Sequence, residues 1–127
     1  MPKNAWITEL TSWIEDNLEN RLSSDIIATR AGYSKRHIEA VFKEACGITL
    51  GRYVRRRRLI ACAGDLLAGG STIIDITYKY HFDCQQSFSR AFKREFSVTP
   101  GEVKKKQVSG SVLADLLRKA TTPPGSA

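Results

Sequence analysis

At 127 residues the chain has room for one compact domain, and not for a sensor, an enzyme and a linker together. With 42% hydrophobic and 9% aromatic residues it can build a core, which excludes disorder as the main state, and 26% charged residues are ordinary for a soluble protein. A net charge of +7 and a pI near 9.6 point to a polyanion, either nucleic acid or an anionic membrane surface.

Residues 1 to 25 hold five acids (Glu9, Glu15, Asp16, Glu19, Asp25) against Lys3 and Arg21, a balance of −3. This end does not seek a polyanion. Nothing after Lys3 reads as the apolar run of a signal peptide. Trp6, Ile7, Leu10, Trp13, Ile14 and Leu18 recur at spacings of three and four, which predicts a helix with one buried face. Ser23 or Ser24 then caps a short helix carrying Ile26, Ile27 and Ala31 that stops at Gly32. Ser34 caps the next, which carries Ile38, Val41, Phe42 and Ala45 as far as Gly47. Two helices across a short Gly-containing turn, at about 25–46, have the outline of a helix-turn-helix.

A long helix is predicted over about 50–68, with Tyr53, Val54, Leu59, Ile60, Ala63, Leu66 and Leu67 as its apolar stripe, and Gly69-Gly70 ends it. A second pair follows over about 73–96. Thr72 opens a helix with Ile73, Ile76, Thr77 and Tyr80, and another carries Phe88, Ala91, Phe92 and Phe96. Asp83 and Gln86 have the spacing of a capping box, and Thr99 with Glu102 repeats it behind Pro100. The second pair echoes the first: Tyr33-Ser34 matches Phe82-Asp83 at an offset of 49, and Phe42-Lys43 matches Phe92-Lys93 at 50.

The expected fold is all-α, about seven helices, with two helix-turn-helix subdomains joined by a long central helix within residues 6–104. A tail over 105–127 carries an apolar stripe (Val112, Leu113, Leu116, Leu117, Ala120) in a possible short helix at 111–120. Residues 26 to 106 hold 16 basic and 7 acidic side chains, a balance of +9, so the basic surface lies on the two units and the helix between them.

In a helix-turn-helix the second helix offers side chains from its N-terminal half to base edges in the major groove. A linker helix of about 18 residues spans roughly 27 Å, and major-groove faces repeat about every 34 Å, so one chain can address two adjacent turns. The two reading helices differ in sequence, so the expected site is asymmetric, about 20 base pairs of duplex DNA.

Three stretches, WIEDNLENRLSSDIIATRAGYSKRHIEAVFK, ITLGRYVRRRRL and YHFDCQQSFSRAFKREFSVTPGEVKK, resemble the AraC/XylS family of bacterial transcription regulators. The likeness is closest to its short members, the multiple-antibiotic-resistance, superoxide-response and right-origin-binding activators. It implies a monomeric activator that inserts two reading helices into adjacent major grooves, bends the DNA and contacts RNA polymerase. It also implies no ligand-sensing domain, activity set by the amount of protein, and stress and drug-resistance promoters as targets.

Carried onto this chain, the second unit matches the family pattern. Gln85 and Gln86 can pair with adenine and Arg90 with guanine, while Ser87 and Ser89 serve phosphates or bases. The first unit departs from it: Arg36, Glu39 and Ala40 stand where close relatives carry Trp, Gln and Arg. Glu39 either accepts from cytosine N4, repels phosphates, or pairs with Lys35 or Lys43, and Arg36 is a phosphate or guanine contact. Backbone contacts are expected from Ser34, Lys35, His37, Lys43, Arg55, Lys93, Arg94 and Lys104, with Lys105 and Lys106 beside the last, and more weakly from Arg57. Four consecutive arginines on a helix point in four directions, so Arg56 and Arg58 are read as solvated or paired with acids of the first helix.

The other classes are weaker. DNA-alkylation repair would need a zinc-holding cysteine cluster, whereas Cys46, Cys62 and Cys84 are widely spaced with no C-x-x-C pair and agree with a reducing compartment. No P-loop or nucleophile-base pair is found, so no enzyme, metal or cofactor is expected. No stretch has the roughly 18 to 20 apolar residues of a membrane span. A cytoplasmic, nucleoid-associated monomer without a small-molecule ligand is the resulting expectation. A repressor or competitor at relatives' promoters and a non-specific nucleic-acid binder stay open beside the activator.

Overall fold

The computed structural model describes residues 5–105 together with Ala114 and Arg118. The rest of the predicted tail helix at 111–120, and Lys106, lie outside the described residues. Among the described residues there are seven helices and no strand: α1 (Ala5–Asp16), α2 (Ser24–Ala31), α3 (Lys35–Cys46), α4 (Leu50–Ala68), α5 (Ile73–Lys79), α6 (Gln85–Phe96) and α7 (Pro100–Lys104). The chain divides into two compact units whose boundary, between Arg57 and Arg58, falls inside α4.

In the first unit α1 buries Ile7, Leu10, Thr11 and Ile14, and the Thr11 hydroxyl is satisfied by donating to the Ile7 carbonyl at 2.9 Å. Ser23 caps α2 by accepting from the Ile26 N–H at 3.2 Å, and Ser34 caps α3 by accepting from the His37 N–H at 3.2 Å. Both helices end on a left-handed glycine, Gly32 at φ 80° and Gly47 at φ 79°. These caps fix the turn between α2 and α3 and let Ile27, Ile38 and Phe42 meet Leu50 and Tyr53 in one core. The Phe42 and Tyr53 rings pack edge to face at 5.3 Å.

The second unit repeats this plan with different residues. Thr72 caps α5 by accepting from the Asp75 N–H at 3.1 Å, and two non-glycine residues, His81 (64°) and Ser97 (65°), hold positive φ where the first unit has Gly32 and Gly47. Equivalent backbone bonds recur: Gly47 N–H donates to the Lys43 carbonyl at 2.8 Å, and Ser97 N–H to the Lys93 carbonyl at 2.7 Å. Phe82, Phe88, Phe92 and Phe96 form a continuous run of ring contacts at 5.2, 5.7 and 4.6 Å. Asp65 of α4 accepts from Lys79 Nζ at 3.0 Å and Tyr80 Oη at 2.9 Å, which ties the end of α5 to α4.

The Thr99 capping box forms, with Pro100 in the first turn and Glu102 accepting from both the Thr99 N–H and hydroxyl; these donors hold the Glu102 carboxyl below its ordinary range. The Asp83 box does not form. The N-cap of α6 is Cys84, with no side-chain cap bond, because the one extra residue of the second turn moves the helix start past Asp83.

The central helix serves two cores. Leu50, Tyr53, Val54 and Arg57 are buried in the first unit, and Leu59, Ile60, Cys62, Ala63 and Leu66 in the second. The first set follows i, i+3, i+4, i+7, and Leu59, Cys62, Ala63 and Leu66 restart that count at the unit boundary, with Ile60 buried between the two series. The single apolar stripe read from the sequence is therefore two stripes in series.

Candidate nucleic-acid interface

In the first unit α3 buries Ile38 and Phe42 against the core, which leaves Lys35, Arg36, His37, Glu39, Ala40 and Lys43 exposed. Arg36, Glu39, Ala40 and Lys43 are spaced i, i+3, i+4, i+7 and share one face. In the second unit α6 buries Phe88, Ala91, Phe92 and Phe96. Its stripe at the same spacing is Gln86, Ser89, Arg90 and Lys93, exposed except for the half-buried Ser89. The two stripes coincide under the offset of 50, so homologous positions of two homologous helices face solvent with different side chains. Gln85 and Arg94 are exposed beside the second stripe.

Several expected contacts are already engaged in local structure. The Ser34 hydroxyl is used as a cap, so what that position offers an anion is the free N–H groups at the start of α3. Ser87 is half-buried, its hydroxyl 3.4 Å from Cys84 Sγ. Hydrogen bonding from the Ser87 side chain and backbone draws the Cys84 thiol below its ordinary pKa, whereas burial pushes the Cys62 thiol up. Lys104 is exposed and donates from Nζ to the Ser71 carbonyl at 2.8 Å.

Arg57 is a correction. It is only 8% exposed, and its guanidinium makes a two-pronged pair with Glu15 of α1, Nε to Oε2 at 3.0 Å and Nη2 to Oε1 at 2.8 Å. A phosphate at Arg57 would have to displace this pair from the core, so the residue holds α1 to α4 and does not present charge outward. Arg57 thus makes a pair with a first-helix acid, the kind of contact that the sequence suggests for Arg56 and Arg58. Arg55 is exposed on α4, as a backbone contact requires.

One feature of the first unit was not read from sequence. Trp6 and Trp13, taken as core, are half-buried and line an open cleft with Arg30 and Tyr33. The Arg30 guanidinium lies 5.8 Å from the Trp13 ring, and Tyr33 contacts both Trp6 (6.0 Å) and His37 of α3 (4.8 Å). His37 is thus seated on a ring, a contact between helix starts that sequence spacing alone does not reveal. Among the described residues no group of three or more His, Cys, Asp or Glu is placed to hold a metal ion, and no helix is long and apolar enough to cross a membrane.

Two capped helix pairs, each presenting an exposed polar stripe on its second helix, define a double helix-turn-helix DNA-binding domain. The profile of a helix-turn-helix domain matches residues 27–106. The chain is 47% identical over 98 residues to the HTH-type transcriptional activator AarP of Providencia stuartii, covering 77% of this chain and 73% of that protein. It is 45% identical over 100 residues to the right origin-binding protein of Escherichia coli, covering 79% of this chain but 35% of that protein. Among solved structures, an AraC-type regulator from Chromobacterium violaceum superposes with a TM-score of 0.75 at 30% identity, over 83% of this chain and 94% of the other. The chain belongs to the AraC-type family of helix-turn-helix DNA-binding proteins.

Proposed function

We propose that this protein is a sequence-specific transcriptional regulator that binds as a monomer, laying α3 and α6 into adjacent major grooves of an asymmetric site of about 20 base pairs. The observation that carries the reading is the pair of coincident but differently filled stripes, Arg36/Glu39/Ala40/Lys43 and Gln86/Ser89/Arg90/Lys93. A non-specific binder needs only charge, and has no use for two amides and an arginine in the N-terminal half of α6. Gln85, Gln86, Ser89 and Arg90 read one half-site, and Arg36, with Glu39 and Ala40, reads the other. Phosphates are held by Lys35, His37, Lys43, Arg55, Ser87, Lys93 and Arg94, with Lys104 and the N–H groups following Ser34 in support.

The chain carries out no catalytic step. It acts as an activator through RNA polymerase, in the bacterial cytoplasm at the nucleoid. Similarity to the activator AarP supports this sign of regulation. The resemblance to multiple-antibiotic-resistance and superoxide-response activators supports stress and drug-resistance promoters as targets. The acid at Glu39 and the small Ala40 favour a second reading at some sites, occupancy without activation, because the first half-site then differs from that of the relatives.

Selection from random duplex DNA, followed by footprinting and transcription in vitro, tests the reading. An asymmetric consensus preferred over random duplex by at least about a thousandfold is expected. Equal affinity for all sequences would leave only an electrostatic binder, and a bound promoter without increased transcription would make the protein a repressor or competitor.

A further inference from the structure

Within the first unit α1 carries two working faces. Ile7, Leu10, Thr11 and Ile14 are buried, and beside them Trp6, Glu9, Leu10 and Trp13 repeat the spacing i, i+3, i+4, i+7 with both tryptophans half-buried. Across from this second face stand Arg30, in the last turn of α2, and Tyr33, two residues beyond that helix. Together they line an open cleft of about 150 Å³, with the buried Leu10 among its walls. A volume of that size takes a molecule of about one aromatic ring. Tyr33 stays 41% exposed although its ring touches two others, so part of this aromatic surface is still without a neighbour.

The charged groups at the cleft select the charge of a guest. The Arg30 guanidinium lies 5.8 Å from the centre of the Trp13 ring and, among the described residues, is in no ion pair. Its N–H donors are therefore available to a carboxylate, which a guanidinium holds with two parallel bonds. A second cation would meet like charge, because the Trp13 ring already carries one. Glu9, exposed at the same cleft, opposes a polyanion such as the DNA backbone. What fits all three rings, the guanidinium and the carboxylate is one negative charge on a flat apolar body.

We propose that this cleft binds a small monoanionic aromatic acid, its carboxylate on Arg30 and its ring against Trp6 and Tyr33, and that occupancy is felt at the start of α3. The link is Tyr33, which contacts Trp6 at 6.0 Å and His37 at 4.8 Å, so a ring inserted beside Tyr33 changes the surroundings of a side chain on the first reading helix. This departs from the expectation, drawn from the sequence, of a protein without a small-molecule ligand.

Both tryptophans of the chain line the cleft, so the intrinsic fluorescence of the full chain reports on it without a label. Titration with benzoate should give a saturating change with a Kd of about 1 mM or tighter. Arg30→Gln, at an exposed position, should weaken that binding at least about tenfold, while a retained thermal unfolding transition shows that the unit is folded. In proton NMR the His37 ring signals should move along the same titration curve, and those of His81, the chain's other histidine, should stay in place. None of these readouts uses DNA, so their failure is distinct from a failure of the proposed function. Quenching that rises linearly without saturation, equal binding by Arg30→Gln, or a stationary His37 signal would overturn the proposal. Saturation by tetramethylammonium in place of benzoate would overturn it in favour of a cation cage.

Discussion

Tyr53 sits in the first core with its ring against Phe42 and its hydroxyl oxygen buried without a hydrogen-bond partner, and burial pushes its phenol up to about 12. A buried hydroxyl left unpaired costs roughly 1–3 kcal/mol. Tyr53→Phe is therefore expected to leave stability unchanged or raise it by about 1 kcal/mol in urea titration; a loss of that size would mean the hydroxyl is bonded. Ser97 is the counterpart of Gly47 and pays for a side chain at φ 65°, so Ser97→Gly should stabilise the fold by roughly 0.5–1 kcal/mol. Unchanged or lower stability would contradict this. Cys84 has a thiol drawn below its ordinary pKa, so a larger thiolate fraction reacts at pH 7 to 8 than at Cys46 or Cys62, whose thiols burial pushes up. Maleimide should label Cys84 first, and site DNA should slow that labelling; labelling indifferent to bound DNA would separate the start of α6 from the groove.

Among the elements, helix starts and stops were the most legible features. Ser34, Gly32, Gly47 and Thr99 each carry a local preference that the fold uses as expected. The start of α6, near Cys84, was legible, but its cap was not, because Asp83 and Cys84 adjoin and only the backbone decides which becomes the cap. The two registers of α4 were hidden for another reason: apolar spacing alone does not say which core a residue enters. Four chemically identical arginines likewise give no sign of which one turns inward toward Glu15. Removing Arg57 strands a partly exposed carboxylate in the core, so Arg57→Ala should cost about 2 kcal/mol of stability, a value discounted for solvent at Glu15. The salt dependence of DNA binding should not change with it, whereas Arg55→Ala should flatten the slope of log K against log salt by about 0.9. The reverse pattern would put Arg57 on the backbone and Arg55 off it.

For the molecule as a whole, an acidic start precedes a basic middle, and the chain folds into two units that share one helical plan. The candidate stripes were legible because the repeat puts Ala40 and Arg90, Arg36 and Gln86, at matching positions. The Trp6–Tyr33–His37 contacts were not, since they join residues from three helix termini with no common period. The repeat leads to the central claim that each reading helix governs its own half-site.

Binding of the full chain to a library of single-base variants of its selected site, compared with Arg90→Ala and Arg36→Ala, tests that claim most directly. Arg90→Ala should lose about 1–3 kcal/mol of discrimination at one or two positions within one half-site and leave the other half-site's profile intact, with Arg36→Ala doing the converse. A uniform loss of affinity across all variants, with both profiles unchanged in shape, would contradict the account and reduce both helices to electrostatic contacts.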